Sequence, residues 1–248
     1  MEDPVTAIMG SGEAESGLLA CRPMAPGDLG RVVEIHLVSF PGFFLSFLGP
    51  RFLREFYRGT VNDTASLALV AVDRLGRVAG FVAGHMDPPG FYKRLLLRRG
   101  WAIAMASIGP VLRRPSIIPR LFRAIKYRGG PPATPGGALL ASLAVHPEMQ
   151  AAGAGKLLVR RFAEECFRRG ATYICLTTDR DHNDAVNQFY QSLGWKIETE
   201  VVTPEGRALN LFIYSKPGDS VGQTCGEFST PSNRSTASQP ARGVEKRT

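Results

Sequence analysis

Between Asp87 and Glu148 the chain has no acidic residue, yet ten of its 30 Lys and Arg fall there: Lys93, Arg94, Arg98, Arg99, Arg113, Arg114, Arg120, Arg123, Lys126 and Arg128. The 20 basic side chains outside this stretch face 22 acidic ones, so the net charge of +8 belongs to this one segment. Such asymmetry implies an acidic partner for the segment, not general solubility. Cysteine is also scarce. The four present, Cys21, Cys166, Cys175 and Cys225, show neither C-x-x-C nor metal-ligand spacing. That excludes a disulfide scaffold and a zinc module, and a reducing cytoplasm is the expected compartment. Long apolar runs are missing: Trp101 to Leu112 is about half the length that spans a bilayer. Met1 to Gly17 contains no Lys or Arg, so no secretory leader is expected.

What the chain does have is ordinary material for a folded protein. Its 248 residues are 44% hydrophobic and 21% charged, which suits one domain with extensions or two small ones. The most informative stretch is Leu139 to Lys156, LLASLAVHPEMQAAGAGK. An apolar run to Val145 is stopped by Pro147. Gln150, Gly153 and Gly155 follow, and then a helical pattern over Lys156 to Arg169. A strand, glycine loop and helix in this order point free backbone N–H groups at one spot, with the positive end of the helix dipole behind them. That is an anion site in outline, and glycine lets the anion approach the backbone. The dinucleotide fingerprint fails at Leu158. A P-loop fails at Leu157, where Ser or Thr should stand, so specific NAD or ATP binding is not expected.

The wider pattern is more specific. Gln150-Ala151-Ala152-Gly153-Ala154-Gly155 fits Q/R-x-x-G-x-G/A, and Leu143 to Pro147 precedes it. Downstream stand Asn183 to Tyr190 (NDAVNQFY) and then Leu193-Gly194-Trp195. Together these resemble the GNAT superfamily of acetyl-CoA-dependent N-acetyltransferases, closely from Leu139 to Tyr214 and loosely from Cys21 to Gly84. The resemblance implies an α/β fold with a mixed, splayed central sheet and helices on both faces. It also implies that acetyl-CoA enters between the strands carrying Leu139–Val145 and Thr172–Thr177.

Periodicity gives the element order βααββ, an insertion, then βαβαββ. Leu18–Met24 reads as a strand, with Asp28 placed to cap a helix from Leu29. That helix carries His36 on its apolar side. A second helix, Pro50 to Arg58, follows an aromatic stretch, Phe43 to Phe47. Ser66–Asp73 and Arg77–Gly84 read as strands covered on both faces. The insertion spans about residues 85–137, just before the cofactor-binding strand. Basic helices are expected at Phe91–Arg99 and Ile117–Tyr127, with apolar Trp101–Leu112 between them. Gly170 and Gly194 close the later helices. Residues 1–17 read as a loose arm, 18–216 as the acetyltransferase domain, and Pro217–Thr248 as a disordered tail.

The resemblance assigns roles. The backbone of Leu143, Ala144 and Val145 would pair with the pantetheine arm. The N–H groups of Ala151, Gly153, Ala154, Gly155 and Lys156 would hold the pyrophosphate, helped by the Gln150 amide and the Lys156 ammonium. Asn183 would bond the arm, and Tyr190 would be the general acid at the leaving sulfur. No metal is expected. The strand before the loop offers no carboxylate, only Ser142, so no general base is assigned. Asp179, Asp181 and His182 read as loop structure.

The expected activity is acetyl transfer from acetyl-CoA to a primary amine of a small molecule, such as an amino sugar or another anionic metabolite. A second class stays open: a GNAT-like peripheral membrane or scaffold module working through its basic insertion, with weak or lost catalysis. Aromatic and aliphatic residues interleave with Arg and Lys over 91–128, which also fits an anionic membrane surface. No recognised module supports nucleic acid.

Overall fold

The computed structural model describes residues 19–113, 136–203 and 206–216. Seven strands form one sheet: β1 (Leu19–Pro23), β2 (Ser66–Asp73), β3 (Val78–His85), β4 (Gly137–Val145), β5 (Tyr173–Asp179), β6 (Lys196–Val202) and β7 (Ala208–Ser215). Their spatial order is β1-β2-β3-β4-β5-β7-β6. Every neighbouring pair is antiparallel except β4 and β5. The helices are α1 (Leu29–Ser39), α2 (Phe44–Phe47), α3 (Gly49–Val61), α4 (Pro88–Arg113), α5 (Ala154–Arg168) and α6 (Asp184–Ser192). This is the mixed, splayed sheet expected above, with boundaries moved by a residue or two at most ends. α5 starts two residues earlier than expected, at Ala154.

Strand alternation divides the core between two faces. Val70, Val72, Phe81 and Ala83 face α1, α3 and α4, where Ile35, Leu53, Tyr57 and Phe91 are buried with them. Leu69, Ala71 and Val82 face the other way, onto Leu158, Phe162 and Cys166 of α5. β3 is buried along its whole length, as its unbroken apolar sequence requires. Gly84 permits a close approach of β4 and α5 to β3. A Cβ there would stand 2.2 Å from Leu139 O and 2.4 Å from Phe162 Cζ. Gly170 takes a left-handed φ of +92° and ends α5, with Ala171 N–H bonded to Cys166 O.

Three expectations need correction. Asp28 does not cap α1 with its side chain. Its carboxylate instead accepts from Ala25 N–H at 2.8 Å and from Arg22. The insertion does not open as a short basic helix followed by a separate apolar run, because α4 is one continuous helix of 26 residues. The Ile117–Tyr127 segment lies outside the described residues, as do 1–17 and 217–248. Nor is Trp101–Leu112 the limit of the apolar stretch. Pro88–Leu112 is long and apolar enough, by length and composition, to cross a membrane, with a mean hydropathy of 1.3 and 11% of that window buried.

α4 is bound to the domain through polar contacts as well as packing. Arg94 forms two hydrogen bonds to Asp63 and one to Asp87. Arg99 pairs with Glu55. Gly59 of α3 lets Leu95 approach, since a Cβ would sit 2.2 Å from its Cδ1. Asp63 also accepts from Ser66 Oγ at 2.7 Å, and Ser66 lies 2.8 Å from His85 Nδ1. With its own proton given to Asp63, Ser66 must accept from His85 Nδ1–H. His85 then stacks on Phe91 at 3.7 Å.

Two predictions follow from this packing. Gly84→Ala should destabilise the fold by about 1–3 kcal/mol, since both Leu139 and Phe162 must move. A urea midpoint unchanged from the parent would show that β3 and β4 have slack there. The second concerns pH. Burial lowers the pKa of His36 from 6.5 to about 4 and that of His85 to about 3. Both are therefore neutral in the folded chain while the unfolded chain binds protons below about pH 6.5. Stability present above pH 6.5 is lost progressively as the pH falls, on the order of 3 kcal/mol per histidine by pH 4. Denaturation at pH 7.5 and pH 4.5 measures this, and equal stabilities would contradict the burial of both rings.

Candidate active site

The site begins where the sheet comes apart. β4 and β5 pair only through Gly137–Tyr173, Ala138–Ile174 and Leu139–Cys175. Beyond these residues β5 continues along β7 to Asp179, while β4 continues along β3 to Val145. The register of β3 with β4 shifts between Ala83 and Gly84: Ala83 faces Ser142, Gly84 faces Leu140, and Ala141 has no opposite number. A bulge of this kind bends a strand and re-aims its side chains. It lies where β4 leaves β5. The edge of β4 toward β5 therefore carries Leu143, Ala144 and Val145 with no strand beside them.

The glycine loop lies at the mouth of this opening. His146 N–H bonds Ala79 O at 2.8 Å, and a 3-10 turn, Pro147–Ala152, follows. Gln150 and Ala151 fall within that turn. Gly153 then takes φ +76°, a left-handed conformation that a β-branched residue rarely adopts, and no heavy atom lies within 4 Å of where its Cβ would be. α5 starts at Ala154. Its first bond to the loop is Leu157 N–H to Gly153 O at 3.1 Å, which leaves Ala154, Gly155 and Lys156 as the helix's open donors. No acidic residue occupies the first turn to compete for them. Gly155 lies against two other parts of the site: a Cβ there would be 3.5 Å from Phe189 Cζ and 3.7 Å from Val145 Cγ2. The end of β4, the start of α5 and the middle of α6 thus meet at one glycine. Open N–H donors, glycines and an unpaired strand edge fit the pyrophosphate and amide-bearing arm of acetyl-CoA.

α6 supplies the remaining candidates. Asn183 donates to Asp179 O at 3.3 Å. Asn187 was not singled out in the sequence, yet it is buried and ties α6 to the end of β5. It accepts from Thr178 Oγ1 at 2.6 Å and donates to Asp179 O at 3.1 Å. Tyr190 is also buried, packed edge-on to Trp195 and beside Phe212. Its carbonyl accepts from Leu193 and Trp195 N–H, both at 3.1 Å, whereas its phenol makes no hydrogen bond among the described residues. Burial raises its pKa above the usual 10, so the phenol keeps its proton throughout the physiological range.

A polar line runs on the other face of β4, and the sequence did not reveal it. His36 Nδ1 lies 2.7 Å from Tyr57 Oη, and Tyr57 has the Ser142 side chain as a second hydrogen-bonding neighbour. His36 and Tyr57 are both buried. The line reaches β4 one residue past the bulge. Further out, Arg207 of the β6–β7 turn pairs with Asp179 and places its guanidinium 4.9 Å above the Phe43 ring. That contact joins the α1–α2 connection to the far hairpin. Asp179 ends β5, paired with Leu209, and Asp181 in the following loop is taken up by Arg180. A cavity of about 180 Å³ lies elsewhere, between α3 and α4, and is lined in part by Asp63, Arg94, Arg98 and Arg99. It belongs to that helix junction and not to the opening in the sheet.

Comparison with known proteins agrees with this geometry. The model of the Acetyltransferase (GNAT) family matches residues 30–195, and the chain belongs to that family. No curated protein matches it significantly in sequence. Among solved structures, mutant forms of the spermidine/spermine N-acetyltransferase SpeG from Vibrio cholerae share the fold at 15% identity and a TM-score of 0.51, over 79% of this chain and 93% of that one. The putative acetyltransferase yncA from Salmonella typhimurium, solved with acetyl-CoA, is similar at 14% identity and a TM-score of 0.52, over 84% and 99%. A putative GNAT acetyltransferase from Desulfovibrio desulfuricans gives 15% and 0.52, over 79% and 98%.

The loop geometry yields a direct test. Replacing Gly153 and Gly155 together by Val puts a β-branched residue at φ +76° and a branched side chain against Phe189 and Val145. Acetyl-CoA affinity, measured by isothermal titration, should fall at least tenfold. An unchanged affinity would place the anion somewhere else.

Proposed function

We propose that the chain transfers the acetyl group of acetyl-CoA directly to the primary amine of a small-molecule acceptor. The observation that carries this reading is the opening between β4 and β5 with the N-terminus of α5 at its mouth. Membership of the GNAT family supports it. In this reading the N–H groups of Ala154, Gly155 and Lys156 hold the pyrophosphate, aided by the exposed Lys156 and Gln150 side chains. The outer edge of Leu143 to Val145 pairs with the pantetheine arm, and the free capacity of the Asn183 amide is available to it. The backbone contacts use groups that have no protein partner in the opening.

The transfer needs the amine nitrogen to attack the thioester carbonyl, the C–S bond to break, the sulfur to leave with the electron pair and a proton, and the nitrogen to release one proton to solvent, which restores the proton of the acid. Tyr190 supplies that proton. Its phenol is kept neutral by burial, and the free pKa of about 10 puts proton loss above neutral pH in any case. The acceptor approaches from the face of β4 that carries Ser142. With His36 protonated on Nε2, Tyr57 donates to His36 Nδ1 and its oxygen accepts from the Ser142 hydroxyl. The lone pairs of Ser142 are then left to orient an N–H of the incoming amine. His36 has its pKa lowered to about 4 by burial, so it is neutral at physiological pH and this line of groups does not change charge there. The Phe43–Arg207–Asp179 contact bounds the acceptor side at its outer end. Arg94 and Arg99 are engaged by carboxylates of the domain, which argues against their recognising an anionic group on the acceptor.

Tyr190→Phe separates the roles. It keeps the packing against Trp195 and Phe212 while removing the proton. Turnover should drop by about 10²–10⁴ with acetyl-CoA affinity unchanged. Full turnover in the variant, assayed by thiol release with a panel of primary amines, would assign the proton to water or another group.

A further inference from the structure

α4 is apolar on two opposite faces. One face is used by the domain: Phe91 and Leu95 are buried there, Ile103 and Ala106 pack against the same core, and Arg94 and Arg99 form their ion pairs. The other face is open. Leu97, Trp101, Met105, Ile108 and Leu112 are 76%, 80%, 51%, 46% and 77% exposed. Their spacings of four, four, three and four residues set them in one line along a helix, about 22 Å long at 1.5 Å per residue. Leu96, 45% exposed, widens the line at its start. A contiguous apolar strip of this size is unusual on a soluble monomer and marks a contact surface.

The charge beside the strip selects the occupant. α4 contains no acidic residue. Lys93 and Arg98 are exposed and form no ion pair among the described residues, in contrast to Arg94 and Arg99. The sequence beyond α4 adds Arg114, Arg120, Arg123, Lys126 and Arg128 before the next acidic residue, Glu148. We propose that this face of α4 docks on an anionic phospholipid membrane, with Leu97, Trp101, Met105, Ile108 and Leu112 entering the interface and Lys93 and Arg98 meeting the headgroups. Tryptophan is well suited to that depth. A second copy of the chain fits less well, because it would bring the same unopposed cations together. Nucleic acid would leave the apolar line without a partner.

The helix lies in the membrane plane and does not cross the membrane. Its inner face is held to α3 by the Arg99–Glu55 pair and Leu95 on Gly59, and to the turn after α3 by the Arg94–Asp63 pair. At the far end Pro110 lies close to Gly49. Crossing would strip these charges from their partners and expose them to hydrocarbon. The docking is independent of acetyl transfer: it stands whether or not the opening in the sheet is catalytic.

The test uses the full chain with phosphatidylcholine vesicles, with and without 30% phosphatidylserine. The chain should pellet with the anionic vesicles and be released at high salt. Tryptophan emission should shift to the blue on binding. The shift reports Trp101, because Trp195 is already buried at 2% exposure. Leu97→Ser with Trp101→Ser, and separately Lys93→Glu with Arg98→Glu, should each lower vesicle partitioning at least tenfold. All four side chains are exposed, and unchanged acetyl-CoA binding serves as the control for folding. Pelleting that is absent, equal with neutral vesicles, or unaffected by both variants would overturn the proposal. So would a dimer in sedimentation velocity that the Leu97/Trp101 variant dissociates, which would make a second copy the occupant.

Discussion

The structure depends on an edge left unpaired inside a sheet. β4 has β3 on one side from Leu139 to Val145, but it keeps β5 on the other only as far as Leu139. From there its outward N–H and C=O groups have no strand to bond. An unpaired strand edge is normally confined to the rim of a sheet, where water serves it or charges guard it. A buried backbone group without a partner costs on the order of 1–3 kcal/mol. The fold accepts this gap by giving β5 a full partner in β7 and by bending β4 at Ala141. Around the gap the chain uses glycine where backbones or helices must come close: Gly84 against Leu139 and Phe162, Gly153 in a left-handed turn, Gly155 against Val145 and Phe189. These constraints make one site out of β4, the adjacent α5 and the more distant α6.

Much of this was legible. The strands announced themselves through β-branched and apolar runs bounded by turn residues, and the cofactor loop through the joint spacing of Gln150, Gly153 and Gly155 ahead of a helix. The pairing that produces the opening was not readable from periodicity. A bulge at Ala141 leaves the apolar pattern of LLASLAV almost intact, so the resemblance to a family, and not the pattern, suggested the splay. The His36–Tyr57–Ser142 line was hidden for a similar reason. His36 sits among apolar neighbours on α1, and its partner is 21 residues away on another helix. Asn187 looked like one polar residue among many in NDAVNQFY, and only its three-dimensional bonds to the end of β5 distinguish it.

α4 was misread for a physical reason. A helix apolar on both faces has little amphipathic signal, and Gly100, Gly109 and Pro110 read as punctuation. Tertiary contact outweighs those residues. Leu95 on Gly59 and two arginine–carboxylate attachments, to Glu55 of α3 and to Asp63 just after it, hold the first half, and a helix once nucleated extends at low cost. The same continuity shows that the ten cations are not one reservoir. Arg94 and Arg99 serve the fold, while Lys93 and Arg98 are exposed beside an apolar strip. Basic character in the sequence therefore overstated the charge available to a soluble anionic acceptor and understated the apolar surface beside it.

The central claim is that the unpaired edge of β4 and the first turn of α5 are one cofactor site. Amide hydrogen exchange of the full chain, with and without saturating acetyl-CoA, tests it most directly. The account predicts that protection rises in Leu143–Val145 and Gly153–Lys156 together, while β1 and β2, remote from the opening, are unchanged. Acetyl-CoA binding that protects neither segment, or protects only the α3–α4 junction, would contradict it.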